Sequence, residues 1–420
     1  MADSAPTQDP LPIRPRGPVD IVVHPPGSKS QTNRALICAS LATGNSTLSR
    51  PLHSDDSDAM VRCLRALGVD VEQDAIAWHV SGTAGQLEDG PEATLDAGAS
   101  GTTARFITGL ASLAPRRSVV DGTPRMRERP MGPLVAALRL LGVDIDDTAG
   151  FPPVAIHGGR ISGGIASIDS SESSQFLSAL LMAAPYCEAP LEIRVEGLTS
   201  SGYVQTTLEV MKRFGVVVDA ADTGYLVAPA PYHATTLGIE ADASAAVYPW
   251  GAAAITGGRA TVTGIEADSS QPDLGILPVL HEMGCVVEGF TVQGPDSLRA
   301  VELDLRHMPD GAMTVAVLCS AAEGTSRLSG LHTLRMKETD RMGALVNELG
   351  RLGVVASADE DSLIIEGTER LTPGTVETYD DHRMAMAFSL LGLRTDGIAI
   401  VDPGCVSKTW PTYFEELATW

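Results

Sequence analysis

Five times along the chain, an apolar stretch with helical periodicity ends in a hydrophobic residue and a glycine, and a β-branched run follows at once. The junctions are Met60 to Gly68 with Val69-Asp-Val, Leu134 to Gly142 with Val143-Asp-Ile, and Leu208 to Gly215 with Val216-Val-Val. Two more are Leu277 to Gly284 with Cys285-Val-Val and Leu345 to Gly353 with Val354-Val. Glycine just past the last helical residue fits a left-handed C-cap, and the Val/Ile run after it fits a strand. The glycines recur at intervals of roughly 70 residues, longer than solenoid repeats and long enough for two helices and several strands. With a sixth unit near Arg383 to Gly397, the pattern predicts six α/β units, three per domain. Domain switches are expected near Gly27 and near Gly238 to Asp242, after the loop Ala228-Pro-Ala-Pro-Tyr-His.

Six apolar helices are each preceded by a polar, chemically rich segment. These are Ser28-Lys29-Ser30-Gln-Thr-Asn-Arg34, Gly98-Ala99-Ser100-Gly101-Thr102-Thr-Ala-Arg105 and Ser170-Ser-Glu-Ser173-Ser174-Gln175. The others are Asp310-Gly-Ala, Lys337-Glu338-Thr-Asp-Arg341 and Asp380-Asp381-His-Arg383. Ser, Thr and Asp are ordinary N-caps, so any one segment reads as a helix start. Together they change the picture. Helix N-termini offer free amides and a positive dipole end, which suit phosphate and carboxylate. The chain has only four lysines, and Lys29, Lys337 and Lys408 all sit in such crowded segments; Lys212 is the fourth. The loop Gly122-Thr-Pro-Arg125-Met-Arg127-Glu-Arg129-Pro adds three arginines. A small, multiply anionic ligand is the implied target. Asp310 and Glu338, each ahead of an apolar helix, supply a pair of carboxylates for proton transfer.

Composition narrows the function further. The chain is 420 residues long with 44% hydrophobic and 20% charged residues, which suits two globular domains. A net charge of -23 and 4% aromatics argue against nucleic-acid binding. No run is long enough to span a membrane, and Met1 to Gly17 lacks the apolar core of a signal peptide. The first dozen residues are expected to form a loose tail. Cys38, Cys63, Cys187, Cys285, Cys319 and Cys405 include no Cys-x-x-Cys pair, so buried, reduced thiols and a cytoplasmic location are expected. No His/Cys/Glu spacing suggests a metal, and neither a phosphate-binding P-loop motif nor a hydrolase nucleophile elbow is present.

The motifs Pro26-Gly-Ser-Lys-Ser, Pro124-Arg-Met, Ser173-Ser-Gln-Phe-Leu, Lys337-Glu-Thr-Asp-Arg and Asp381-His-Arg-Met-Ala-Met, in this order, resemble the 5-enolpyruvylshikimate-3-phosphate synthase family of enolpyruvyl transferases. The resemblance runs from about Pro25 to the C-terminus. It implies transfer of the carboxyvinyl group of phosphoenolpyruvate to the 5-hydroxyl of shikimate 3-phosphate, with no metal or organic cofactor. The implied fold is α/β, a two-domain inverse α/β prism of six βαβαββ-type repeats, three per domain. One domain would be discontinuous, 1–27 plus 240–420, the other 28–239, with the active site in the cleft between them. Residue by residue, shikimate 3-phosphate would be held by Lys29, Ser30, Arg34, Ser173, Ser174, Gln175, Ser200, Tyr203, Asp310 and Lys337. Phosphoenolpyruvate would be held by Lys29, Gly101, Thr102, Arg125, Gln175, Arg341, Arg383 and Lys408. Asp310, with Lys29, would take the hydroxyl proton and Glu338 would protonate the methylene carbon. A monomer in the shikimate pathway that is a target of glyphosate is implied. Ala99 stands where the family commonly has Asn, and Thr333 where Asn is frequent; Gly101 leaves room for the inhibitor. A UDP-N-acetylglucosamine enolpyruvyl transferase would carry a reactive Cys in the loop at Gly122 to Pro130, which has none. A non-catalytic anion-binding protein on the same fold is the remaining alternative.

Overall fold

A computed structural model describes residues 8–420. Its contacts divide the chain into two compact units, Gly27–Glu240 and a discontinuous one made of Met1–Pro26 with Ala241–Trp420. Each unit has its own hydrophobic core.

Gly27–Glu240 contains helices α1 (Lys29–Leu41), α2 (Asp55–Ala66), α3 (Gly101–Ala111), α4 (Gly132–Leu140), α5 (Ser174–Ala183) and α6 (Ser201–Arg213). The middle repeat shows the plan most clearly. A lead strand (Ala93–Asp96), α3, a second strand (Ser118–Asp121), α4 and a hairpin (Ile145–Thr148, Phe151–Ile156) follow in order. The lead strand pairs in parallel with the second, which pairs antiparallel with the last strand of the hairpin. The next repeat, around α5 and α6, copies this order in the sheet 164–169, 191–196, 224–227, 219–221. In the first repeat the lead strand comes from the far end of the unit: Thr236–Gly238 runs parallel to Thr47–Ser49. α1, α3 and α5 pack against one another and are almost wholly buried, whereas α2, α4 and α6 keep an exposed face.

The second unit repeats the plan with α7 (Ala243–Thr256), α8 (Ile276–Glu282), α9 (Ala312–Cys319), α10 (Arg341–Arg351), α11 (His382–Gly392) and a short α12 (Tyr413–Leu417). Here α7, α9 and α11 form the buried trio. The lead strand of its first sheet is Asp20–Val23, parallel to Arg259–Val262. The whole is an α/β fold of six repeats, three in each unit, of which the first five have the full βαβαββ plan.

All five junction glycines have left-handed backbone, with φ of 88° at Gly68, 87° at Gly142, 89° at Gly215, 104° at Gly284 and 81° at Gly353. A side chain there would be strained, and each glycine lets the chain turn from helix to strand within three to five residues. All six cysteines are buried and none is in a disulfide. One expectation fails. The loose tail does not extend through the first dozen residues: Leu11 and Pro12 pair antiparallel with Ile400 and Ala399, and Ile13 is buried. The last sheet lacks a hairpin of its own and presents an unpaired edge at Ile398–Ile400, which the N-terminal strand takes up. The earlier part of that tail, residues 1–7, lies outside the described residues. Among the described residues no helix is long and apolar enough to cross a membrane.

Candidate active site

Within each unit most of the predicted residues lie at helix N-terminal ends, with Arg125, Lys337 and Lys408 in loops or short turns. In Gly27–Glu240, Ser28 caps α1, accepting the Gln31 amide, and Lys29 opens the helix with its ammonium 3.2 Å from the Asp56 carboxylate. One turn on, Arg34 is 2% exposed. Its guanidinium donates to Thr207 Oγ1 (2.7 Å), the Ser30 carbonyl (2.9 Å) and the Tyr203 carbonyl (3.0 Å), and lies over the Phe106 ring. Burial among these uncharged groups pushes its pKa down to about 10, so it remains charged at neutral pH. Arg34 therefore ties the start of α1 to the start of α6, where Ser200 sits in left-handed backbone (φ 52°) and Tyr203 follows one turn later.

α3 and α5 meet through Gln175. Its amide oxygen accepts from Arg105 (2.7 Å) and its nitrogen donates to Thr102 Oγ1 (3.0 Å). Arg105 also donates to the Pro130 carbonyl (3.0 Å) and lies over Phe176. Ser173 caps α5 by accepting the Gln175 amide, and Ser174 is buried beside it. Gly101 is demanded here by its neighbours rather than by its backbone angle. A Cβ would stand 2.6 Å from Arg129 Nη2 and 2.8 Å from Arg105 Nη1. Arg125 is half-buried in the same arginine loop, with Glu128 at 2.7 Å.

The other unit builds its cluster on Arg341, whose side chain is 1% exposed at the start of α10. It binds three carboxylates: Asp381 (2.8 and 3.2 Å), Glu338 (2.9 Å) and Asp310 (3.1 Å). Burial opposes its charge, but Asp381, Glu338 and Asp310 overcome that, and its pKa is pushed up rather than down. The second oxygen of Asp310 accepts from Arg383 at the start of α11 (2.9 Å). Lys408 stands 4.0 Å from Glu338. Lys337 is half-buried next to Glu338, in the turn before α10. Asp310 does not cap its helix. Gly311 is the N-cap residue of α9, and the Asp310 carboxylate is given to the two arginines.

Two cations and two carboxylates proposed from sequence, Arg341, Arg383, Asp310 and Glu338, are thus in direct contact, with Lys408 alongside. Sequence reasoning passed over Asp381, which is 0% exposed and anchors Arg341 while capping α11 through the Arg383 amide (2.9 Å). Its position as the N-terminal cap of α11 made it read as a cap alone. Arg129 and Asp56, which face Gly101 and Lys29, were likewise unassigned.

The EPSP synthase (3-phosphoshikimate 1-carboxyvinyltransferase) family model matches residues 13–417. The 3-phosphoshikimate 1-carboxyvinyltransferase of Nostoc sp. is 44% identical over 408 residues, covering 94% of this chain and 96% of that protein. The protein of the same name from Vibrio atlanticus is 40% identical, covering 97% and 98%, and that of Methanoculleus marisnigri is 40% identical, covering 96% and 97%. A solved structure of EPSP synthase from Acinetobacter baumannii superposes with a TM-score of 0.80 at 26% identity, covering 97% of each chain. With its motifs in order and its repeats matched along nearly the whole length, the chain belongs to the EPSP synthase (3-phosphoshikimate 1-carboxyvinyltransferase) family.

Proposed function

We propose that the enzyme transfers the carboxyvinyl group of phosphoenolpyruvate to the 5-hydroxyl of shikimate 3-phosphate and releases phosphate. The carrying observation is the contact of Arg341 with both Asp310 and Glu338, which sets two carboxylates against one buried cation. In this reading Asp310, with Lys29, takes the proton of the 5-hydroxyl as its oxygen bonds to C2 of phosphoenolpyruvate. Glu338 gives a proton to C3, yielding a tetrahedral intermediate. Loss of phosphate from C2 and of one proton from the new methyl group restores the vinyl group. Arg341, Arg383, Lys408, Arg125, Gln175, Thr102 and the Gly101 region hold phosphoenolpyruvate. An anionic substrate can replace the carboxylates on Arg341 and Arg383, and so shift Asp310 from pairing with cations to accepting a proton. Cations fixed before substrate arrives do not reorganise during the reaction, so electrostatics supplies much of the rate.

Arg34, Ser30, Ser173, Ser174, Gln175, Ser200, Tyr203 and Lys337 hold shikimate 3-phosphate. The reaction requires this set and the Arg341 cluster to address one pair of substrates, so we place the chemistry in a cleft formed by a 28–239 domain and a 1–27 plus 240–420 domain. A cytoplasmic monomer is the accompanying proposal; six buried thiols support the location. The test is phosphate release from phosphoenolpyruvate with shikimate 3-phosphate or UDP-N-acetylglucosamine as acceptor. Release with the first alone is expected; release with the second alone, or with neither, overturns the reading. Asp310→Asn and Glu338→Gln are expected to lower kcat by about 10³-fold while substrate binding persists.

A further inference from the structure

Asp273 lies in the turn Pro272–Gly275, just ahead of α8, and is 1% exposed. One carboxylate oxygen accepts the backbone N–H of Gly311 at 2.9 Å, and the other accepts the Ser244 hydroxyl. Gly311 directly follows Asp310 and is the N-cap residue of α9, which receives no capping bond from its own side chain. Asp273 provides from another element the acceptor for the N-cap amide that the N3 side chain of a capping box would provide locally. Ser244 is in the first turn of α7, and its carbonyl faces Arg383 Nη1 at 3.5 Å. Arg383 is also the residue whose Nη2 grips Asp310. One buried carboxylate therefore joins the starts of two helices that flank Asp310. The approach is close: a Cβ on Gly311 would lie 3.2 Å from Asp273 Oδ1 and 3.1 Å from Met308 Cγ. Two residues earlier, Gln271 accepts the Ala243 amide (3.0 Å) and donates to the Ala241 carbonyl (2.9 Å), which fixes the same turn to the start of α7.

We propose that Asp273 is a positioning residue for Asp310, an inference that rests on Asp310 being the base of the reaction. Arg341 and Arg383 pull the Asp310 carboxylate toward themselves. The Asp273–Gly311 bond fixes the backbone beside Asp310 against that pull, so that the carboxylate stays in place when an anionic substrate takes over the two arginines. Without it, the carboxylate follows the arginines and is misplaced relative to the hydroxyl.

Asp273→Ala, Asp273→Asn and Asp310→Asn are compared by steady-state kinetics, with shikimate 3-phosphate binding measured by calorimetry. Asp273→Ala is expected to lower kcat about 100-fold, the scale of a misplaced catalytic group, with both KM values within about threefold of wild type. Its solvent deuterium isotope effect on kcat rises, because proton removal becomes rate-limiting. Asp273→Asn keeps an oxygen for Gly311 and recovers kcat to within about tenfold of wild type. Full kcat in Asp273→Ala beside a dead Asp310→Asn overturns the positioning role alone, as does a loss confined to KM. Turnover in Asp310→Asn overturns the base assignment and this role with it. Should Asp273→Ala not fold, Ser244→Ala removes one of the two contacts. A kcat loss of about threefold at unchanged KM supports the role, and unchanged kcat overturns it.

Discussion

Arg34 and Arg341 are equally buried and both open onto the start of a helix, yet they are held in opposite ways. Arg341 is surrounded by three carboxylates, and its charge is compensated before any ligand arrives. Arg34 is held by a hydroxyl, two carbonyls and a ring face, and its charge is left over. The difference follows from what each is proposed to do. A residual positive charge in a dry pocket suits a cation that binds a phosphate and takes no part in proton movement. A cation shared among carboxylates suits a place where one of those carboxylates must later act as a base and another as an acid. Substrate anions can then take the place of carboxylates on that cation.

Removing each charge separates the two arrangements. Arg341→Met leaves three carboxylates facing one another and is expected to destabilise its unit by about 3–5 kcal/mol, read as a lower urea midpoint. Arg34→Met takes away a charge that no carboxylate balances. Its stability loss is expected to be about 1 kcal/mol, from the oxygens left without a donor, while shikimate 3-phosphate affinity falls far more than phosphoenolpyruvate affinity. Equal stability losses would remove the contrast. Gly101→Ala pushes against Arg129 and Arg105 and is expected to raise KM for phosphoenolpyruvate about tenfold, worth about 1.4 kcal/mol, with little change for the other substrate.

Backbone strain sharpens the comparison at smaller scale. Tyr379 and Asp380, both left-handed, lead into Asp381, and the Tyr379 hydroxyl donates to the fully buried Glu348 at 2.7 Å. Tyr379→Phe is expected to lower stability by about 1 kcal/mol in urea unfolding and to weaken phosphoenolpyruvate binding through Asp381 and Arg341. Ser200, the left-handed residue on the Arg34 side, gives the smallest change. Ser200→Gly relieves strain, so stability stays level or rises by about 0.5 kcal/mol while shikimate 3-phosphate binding weakens. A stability loss there would show that the hydroxyl is structural.

Much of this architecture was legible in the chain. Helix-to-strand glycines and polar helix starts are local signals, set by backbone sterics and capping within a few residues, and they marked the repeats and most residues of the candidate clusters. The lead strands were not legible as partners. Asp20–Val23 and Thr236–Gly238 pair with strands more than a hundred residues away in sequence, and no local pattern names the partner. For the same reason Leu11–Pro12 read as tail, since the edge it covers belongs to the other end of the chain.

By itself, then, the sequence determined which segments are helices, where glycine ends them, and which charged residues begin them. Only the tertiary structure decided that Arg341 meets three carboxylates and Arg34 meets none, and that Asp381 and Asp273 hold the groups beside them. Capping and periodicity are written in neighbouring residues, whereas the charge balance of a buried arginine depends on which distant helix starts the fold brings within hydrogen-bonding reach.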